Sequence, residues 1–289
     1  MSIDLTFGSR RVRRDRALVM AIINRTPDSF YDRGATFDPS DALDAVSRAI
    51  DEGADIVDVG GVKAGPGDPV DADEETARTV PFLEVVRERF PDAVLSIDTW
   101  RASVAAHAVA AGADLLNDTW AGADPDLAAV AADTGCGMVC SHTGGAVPRT
   151  RPHRVAFDDV VDDVVATTTT AAEKLVAAGV PREGILIDPT HDFGKNTWHG
   201  LELLRRVDEL VATGWPVLMA LSRKDFVGES LDLPPEDRLE GTLAATALAA
   251  AAGCAVFRTH DVEATRRVLE MVATIAGDRP PARAVRGLA

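Results

Sequence analysis

Residues 42–61 read ALDAVSRAIDEGADIVDVGG, and this stretch contains one complete unit of the predicted fold. Apolar residues recur at helical spacing through 42–50, which predicts an amphipathic helix. Gly53 follows that helix, where glycine supplies a left-handed cap at no steric cost. Residues 56–59 then form a short Val- and Ile-rich run, typical of a strand that is buried on both faces. The unit is therefore a helix, a glycine stop and a buried strand.

The same unit recurs along the whole chain. Eight short apolar runs are predicted as strands: Leu18–Ile23, Ile56–Val59, Val94–Ile97, Leu115–Leu116, Met138–Cys140, Ile185–Ile187, Val217–Leu221 and Ala255–Phe257. Eight amphipathic stretches lie between and after them, near 40–52, 74–90, 101–111, 125–133, 158–178, 198–212, 238–252 and 262–276. Glycines 53, 112, 179 and 253 mark the ends of four of these helices. Eight such units predict an α/β fold of the (β/α)8 TIM-barrel type.

An open doubly wound sheet is the alternative architecture. Such sheets usually carry a glycine-rich turn, G-x-G-x-x-G, after the first strand. Here the first strand leads into Asn24-Arg25-Thr26-Pro27, which favours the barrel. The length of 289 residues also fits one barrel. We therefore expect one domain over 1–289, with a short N-terminal extension covering about residues 1–16.

Composition excludes several classes of function. Hydrophobic residues make up 46% of the chain, enough for a large core and too many for a disordered protein. The net charge is −16, from 30 basic and 46 acidic residues, so nucleic acid and anionic membrane surfaces are disfavoured partners. The three cysteines, Cys136, Cys140 and Cys254, predict buried thiols in a reducing compartment. With no recognisable signal peptide, the expected location is the cytoplasm.

Polar residues follow every predicted strand. They include Asn24 after the first strand, Asp98 after the third, Asn117 after the fourth, Asp188 after the sixth, Ser222 and Lys224 after the seventh, and Arg258 and His260 after the eighth. In a barrel these strand ends meet at one face, where active sites are built. We therefore expect one polar pocket formed by all of these loops.

The residue types in this pocket suggest a ligand. Asp98, Asn117 and Asp188 offer donors and acceptors to a flat heterocycle with an amidine-like edge. Lys224, Arg258 and His260 offer positive charge where barrels often bind phosphate. The Asn24 amide is a suitable oxygen ligand for Mg²⁺ shared with substrate phosphates. Taken singly, Asp98 could equally be a helix cap and Arg258 or Lys224 a salt-bridge partner, so the inference rests on the set.

The motifs resemble those of dihydropteroate synthase over most of the chain. The matching blocks are Ile22-Ile23-Asn24-Arg25-Thr26-Pro27-Asp28-Ser29-Phe30, Ile56-Val57-Asp58-Val59-Gly60-Gly61, Ser96-Ile97-Asp98-Thr99, Asn117-Asp118, Asp188-Pro189 with Phe193-Gly194-Lys195, Leu221-Ser222-Arg223-Lys224 and Arg258-Thr259-His260-Asp261. They occur in the family's order and spacing. The resemblance implies a transferase that condenses hydroxymethyl-dihydropterin diphosphate with p-aminobenzoate and releases pyrophosphate, with Mg²⁺ as its cofactor.

The resemblance also implies roles for individual residues. The pterin would be held by Asp98, Asn117, Asp188, Phe193 and Lys224. The diphosphate would be bound by Asn24, with its Mg²⁺, and by Arg258 and His260. The catalytic set would be Asp98, Lys224, Arg258 and His260.

The loop after the second strand departs from the family pattern. The family usually reads Gly-Gly-Glu-Ser-Thr-Arg-Pro-Gly there, whereas residues 60–67 read Gly-Gly-Val-Lys-Ala-Gly-Pro-Gly. Arg25 replaces the usual valine, and residues 142–145 read His-Thr-Gly-Gly in place of His-Met-Gln-Gly. The pterin half is thus retained and the second-substrate half is rebuilt. Arg25, Lys63 and Ser222 are the candidate residues of that rebuilt half.

This pattern is similar to a divergent second dihydropteroate synthase paralogue found in some actinobacteria. Two functions follow as expectations: a synthase in folate biosynthesis or, as the alternative, a pterin-binding protein that uses another nucleophile or lacks synthase activity. A corrinoid-dependent methyltransferase ranks below both, because nothing in the chain resembles a cobalamin-binding module. The family also implies a homodimer formed through barrel helices, with the alanine-rich segment 244–252 as a candidate contact.

Overall fold

The computed structural model describes residues 2–26, 38–150 and 155–286. Within these ranges lie ten β-strands and ten α-helices. The strands are β1 (Ile3–Phe7), β2 (Arg10–Arg14), β3 (Leu18–Asn24), β4 (Ile56–Gly60), β5 (Val94–Asp98), β6 (Leu115–Asp118), β7 (Gly137–Ser141), β8 (Ile185–Asp188), β9 (Leu218–Met219) and β10 (Val256–Thr259). The helices are α1 (Pro39–Asp51), α2 (Ala72–Arg89), α3 (Ala102–Ala110), α4 (Leu127–Thr134), α5 (Val160–Ala178), α6 (Thr197–Arg205), α7 (Val207–Ala212), α8 (Asp225–Leu231), α9 (Leu239–Ala252) and α10 (Val262–Ala276).

Strands β3 to β10 form one parallel sheet in the order β8-β7-β6-β5-β4-β3-β10-β9. A parallel bridge between Ile187 and Val217 brings the two edge strands together, so the sheet closes into a barrel. All eight predicted strands are present in it, and the predicted (β/α)8 barrel is confirmed. The register pairs Asn24 with Gly60, Gly60 with Asp98 and Asp98 with Asn117. Polar strand ends that are far apart in sequence therefore lie side by side.

The four predicted glycine stops all have positive φ angles. Gly253, for example, ends α9 with φ of 110°, a conformation that costs glycine little. The next residue, Cys254, then donates its backbone N–H to the carbonyl of Ala249 at 3.1 Å. The chain thereby turns from helix to strand within three residues.

The N-terminal segment forms an antiparallel hairpin from β1 and β2. Ile3, Leu5 and Phe7 alternate with more exposed residues and are buried. They pack in one apolar cluster with residues at the starts of the barrel strands, including Leu18 and Leu115. The hairpin therefore closes the N-terminal end of the barrel, and the cavity described below lies at the opposite end.

Two regions of the helical layer differ from the sequence prediction. The helix expected over 198–212 is divided into α6 and α7 at Arg206, whose guanidinium bonds to Asp159 and Glu209. Helix α8 was not predicted. In the part of the chain that the structure describes, no helix combines the length and apolar character needed to cross a membrane.

Candidate functional site

A cavity of about 490 Å³ lies at the carboxyl ends of the barrel strands. Eight of the eleven predicted site residues line it: Asn24, Lys63, Asp98, Phe193, Ser222, Lys224, Arg258 and His260. The other three, Arg25, Asn117 and Asp188, are not among the described lining residues. Pro27 to Phe30, which complete the first motif, lie outside the described residues.

The Arg258 side chain points into the barrel. Its Nε donates to Oδ2 of Asp58 at 2.6 Å, and its Nη2 donates to Oδ2 of Asp98 at 2.8 Å. Asp58 is fully buried and also accepts hydrogen bonds from Ser96 Oγ at 2.6 Å and Asn117 Nδ2 at 3.0 Å. One guanidinium thus joins two carboxylates that belong to neighbouring strands. Asp58 was part of a quoted motif, but the sequence assigned it no role.

The electrostatic state of Asp98 reflects these surroundings. Burial raises the pKa of the Asp98 carboxyl, while Arg258 lowers it and the nearby Asp58 raises it further. Thr119 Oγ1 donates to Asp98 Oδ1 at 3.1 Å. Both Asp98 oxygens therefore have a protein donor, and Asp98 still lines the cavity.

Asn117 and Asp188 lie behind the cavity wall. Asn117 is fully buried, and its Oδ1 is one of the described buried atoms that lack a hydrogen-bond partner. Asp188 is 2% exposed and accepts the backbone N–H of Thr190 at 2.7 Å. Burial raises the pKa of Asp188 against the opposing effect of Lys224. Both residues lie at the predicted strand ends, one layer deeper than the open cavity.

An aromatic corner forms another wall. Trp120 and Phe193 meet edge to face, with ring centroids 4.6 Å apart, and both line the cavity. The Trp120 indole N–H is buried and has no hydrogen-bond partner among the described groups. The sequence prediction included Phe193 and missed Trp120. The available signal was the position of Trp120, three residues after Asn117 on a loop that follows a barrel strand.

The backbone of the Phe193 loop is tightly fixed. Gly194 has a φ of 65°, and a Cβ there would meet the Thr143 carbonyl oxygen at 2.1 Å. The Lys195 ammonium donates hydrogen bonds to the backbone carbonyls of His142, Thr190 and Phe193 at 2.8–3.2 Å. Burial lowers the pKa of Lys195 to about 7. These contacts position the Phe193 ring at the cavity.

Lys224 reaches the cavity but is paired with a carboxylate of the same chain. Its Nζ lies 3.0 Å from Oδ2 of Asp192 and 5.6 Å from the centroid of the Phe193 ring. The neighbouring Arg223 also has an internal partner, because it forms two hydrogen bonds of 2.9 Å with Asp261. Ser222 Oγ lies 3.0 Å from Nδ1 of His260 and accepts the backbone N–H of His260 at 3.2 Å.

The candidate second-substrate residues are separated by the fold. Lys63 lines the cavity with its neighbours Val62 and Ala64. Arg25 is buried, with its guanidinium 4.9 Å from the centroid of the Phe82 ring on α2, and burial lowers its pKa. Ser222 and Lys63 therefore line the cavity, whereas the Arg25 side chain packs against a helix.

Arg149, from the loop after β7, reaches the loop after β4 across the barrel opening. It donates to the carbonyl of Asp68 at 2.6 Å and to that of Gly65 at 3.4 Å. Ala146 and Thr150 from the same β7 loop also line the cavity. The two loops thus form one connected rim.

Comparison with known proteins agrees with this architecture. A (β/α)8 barrel with a polar cavity at the strand ends defines the class of protein, and residues 20–260 match the family described as "Pterin binding enzyme". The protein named "Inactive dihydropteroate synthase 2" of Mycobacterium leprae is 66% identical over 284 residues, covering 97% of this chain and 98% of that protein. The chain belongs to the dihydropteroate synthase family, and within it is similar to this divergent second paralogue.

Solved structures give the same assignment. A structure of Mycobacterium tuberculosis Rv1207 has 55% sequence identity and a TM-score of 0.75, covering 96% of this chain and 99% of that chain. A dihydropteroate synthase from Coxiella burnetii, in complex with pteroic acid, has 33% identity and a TM-score of 0.86, covering 95% and 98%. The family resemblance read from the motifs is confirmed.

Proposed function

We propose that this chain is a pterin-binding protein of the dihydropteroate synthase family that does not condense a pterin diphosphate with p-aminobenzoate. The observation that carries the proposal is the pairing of two cavity cations, Arg258 and Lys224, with carboxylates of the same chain. Arg258 is bonded to Asp58 and Asp98, and Lys224 is paired with Asp192. A diphosphate would have to compete with these partners.

Electrostatics supports the proposed absence of the condensation reaction. A site that stabilises a departing diphosphate needs preorganised positive charge directed at that group. In this cavity the guanidinium of Arg258 faces inward, and the nearest carboxylate oxygens lie within 3 Å of each cation. The two cations therefore offer little net charge to a leaving group, unlike the charged clamp of an acyl- or phosphoryl-transfer site.

The pterin side of the cavity retains suitable chemistry. Asp98 is a carboxylate at the cavity wall that would accept paired hydrogen bonds from a heterocyclic amine and ring N–H. Phe193 and Trp120 supply an aromatic corner for a flat ring. Asn117 Oδ1 is buried close by without a donor, as its amide bonds to Asp58 through Nδ2 alone. Asn117 and Asp188 join the site when a ligand reaches below Asp98.

The names of the relatives support the loss of condensation. Proteins named "Inactive dihydropteroate synthase 2" are 65–66% identical over nearly the whole chain. The protein named "Dihydropteroate synthase" of Bacillus subtilis is 38% identical. The rebuilt loop 60–67 and the packing of Arg25 against α2 agree with this distinction, since neither supplies an arginine to the second-substrate side.

We propose that Mg²⁺ binds to this site only when a diphosphate is also bound. The described residues contain no group of three or more His, Cys, Asp or Glu side chains arranged to hold a metal ion. Asn24 contributes one amide oxygen to the cavity wall, and Mg²⁺ sites often combine one or two protein oxygens with phosphates and water. Bound Mg²⁺ would supply charge neutralisation to a diphosphate, with Asn24 as its protein ligand.

We also propose a homodimer and a cytoplasmic location. Leu248 on α9 and Met271 and Ile275 on the adjacent α10 are 57–74% exposed, an apolar surface suited to a second copy of this chain. This surface includes part of segment 244–252. All three cysteines are free and buried, which is compatible with a reducing compartment.

Calorimetric titration with 6-hydroxymethyl-7,8-dihydropterin tests the binding half of the proposal. We expect saturable one-site binding by the wild-type protein at micromolar concentrations. The Bacillus subtilis synthase is the positive control for ligand quality. Absence of heat and of competition with pteroic acid would refute pterin binding. The condensation half is tested by product formation, as described at the end of the Discussion.

A further inference from the structure

We propose that Asp192 is a specificity-determining residue: its carboxylate neutralises Lys224 and thereby favours unphosphorylated pterins over pterin diphosphates. This inference rests on the proposed function, because it explains which pterin the cavity prefers. It concerns a residue that none of the sequence motifs singled out.

The contact itself is well defined. Asp192 Oδ2 lies 3.0 Å from Lys224 Nζ, and the two side chains are 36% and 18% exposed. The Lys224 ammonium also lies over the face of the Phe193 ring, with Nζ 5.6 Å from the ring centroid. Lys224 is therefore fixed between a carboxylate and an aromatic face, both provided by the loop that follows β8.

The neighbouring cations strengthen the effect of this pairing. Arg258 is bonded to two carboxylates, and Arg223 is bonded to Asp261. Burial lowers the pKa of Lys195 to about 7, and three carbonyls already accept its hydrogen bonds. These three neighbouring cations therefore add little positive charge to offset the negative charge of Asp192.

Asp192 also carries negative charge towards the ligand space. It lies between the main cavity and a smaller cavity of about 250 Å³, and lines both of them. Glu229 also lines the smaller cavity. A diphosphate beside Lys224 would approach the Asp192 carboxylate, and like charges at such distances repel each other in a partly desolvated cavity. A neutral hydroxymethyl group would meet no such repulsion.

The test uses Asp192→Asn, which keeps the shape of the side chain and removes its charge. Inorganic pyrophosphate is the first probe, and 6-hydroxymethyl-7,8-dihydropterin is the second. Because one charge-assisted contact to lysine is released, we expect pyrophosphate to bind about tenfold more tightly to the variant. The affinity for the uncharged pterin should change by less than about twofold. Calorimetry at low ionic strength measures both constants.

Two matched variants identify the source of any gain. Asp225 lines the same two cavities, but its carboxylate pairs with Arg238 at 3.0 Å and not with Lys224, so Asp225→Asn should raise pyrophosphate affinity less than Asp192→Asn does. Adding Lys224→Met to Asp192→Asn should abolish the gain, since the two residues would be coupled in a double-mutant cycle. Asp192→Ala repeats the test should the asparagine variant fold poorly.

Three outcomes would overturn the inference: unchanged pyrophosphate affinity in Asp192→Asn and Asp192→Ala, an equal gain in Asp225→Asn, or a gain that persists without Lys224. Failure of the proposed function has a different signature. If the wild-type protein does not bind the uncharged pterin, pterin binding is refuted, and the pyrophosphate measurements still report on the Asp192–Lys224 contact.

Discussion

Carboxylates are buried beside arginines at both ends of the barrel, but the two ends differ in how completely their buried polar groups are hydrogen-bonded. At the N-terminal end, Asp55 accepts from Arg14, Arg16 and the backbone N–H of Val19 at 2.6–2.9 Å. Asp114 likewise accepts from Arg10, Arg87 and the N–H of Leu95. Each carboxylate there is matched by donors, and the hairpin of β1 and β2 closes that end.

At the C-terminal end the matching is incomplete. Arg258 joins Asp58 to Asp98, yet Asn117 Oδ1 and the Trp120 indole N–H have no partner among the described groups. Buried polar groups without partners are costly and uncommon in native proteins. The comparison indicates that the N-terminal end is built for stability, whereas the C-terminal end reserves hydrogen-bonding capacity for a ligand.

Removing a carboxylate from the N-terminal end should give the largest effect. Asp55→Ala removes the nearest carboxylate partner of the buried Arg16 guanidinium and leaves the Val19 N–H without its side-chain acceptor. We expect the free energy of unfolding to fall by about 3–5 kcal/mol. Urea denaturation followed by circular dichroism measures it. Asp4→Ala, which removes an exposed partner of Arg11, is the control and should leave stability unchanged. A small effect at Asp55 would contradict a stabilising function for this end.

The same type of change at the C-terminal end should mainly affect ligand binding. Asp98→Asn keeps an oxygen to accept from Arg258 but loses the charge that would hold a heterocyclic amine. We expect pterin affinity to fall about 100-fold, or about 2.7 kcal/mol, as expected for loss of charge-assisted hydrogen bonds. The urea midpoint should shift far less than in Asp55→Ala. Equal losses of stability in the two variants would remove the distinction between the two ends.

A smaller effect is expected from pH. Burial raises the pKa of Asp98 in the folded protein above its ordinary value, so the folded state retains this proton at a pH where the unfolded chain has lost it. Protonated Asp98 therefore contributes stability below the unfolded pKa, and this contribution is lost as pH rises through the folded pKa. Pterin affinity should change in the opposite direction, weakening as pH falls through that same folded pKa.

Asp98→Asn provides the reference for both pH curves. The difference in unfolding free energy between wild type and variant should decrease from pH 4 upward, towards neutrality. Calorimetric titrations over the same range give the affinity. Parallel curves for the two proteins, in stability and in affinity, would mean that Asp98 does not titrate in this way.

The barrel could be predicted from the sequence because the spacing of apolar residues, the glycines after helices and the polar residues after strands are all local signals. Asn24, Asp98 and Asn117 were placed at one end because parallel strands share their polarity, and the register bears this out. The N-terminal hairpin was missed, since Arg10–Arg14 reads as a charged extension and its burial depends on contacts with strand starts over a hundred residues away.

The ion pairs between cations and carboxylates of the site could not be predicted from the sequence either. Arg258 lies 200 residues from Asp58 and 160 from Asp98, and no local pattern reports such a contact. Sequence resemblance gave Arg258 a diphosphate role, whereas the folded chain turns its guanidinium inward. Arg25 was hypothesised to supply charge to the second-substrate side, and its packing against Phe82 depends on where α2 lies.

The most direct test of the account is pyrophosphate release from the purified protein with hydroxymethyl-dihydropterin diphosphate and Mg²⁺, with and without p-aminobenzoate. The Bacillus subtilis synthase serves as the active reference. We predict no release that depends on p-aminobenzoate and no dihydropteroate product, under conditions where the uncharged pterin binds. Dihydropteroate formed at a rate comparable with that of the reference enzyme would contradict the account, and would mean that the paired cations separate to serve the synthase reaction.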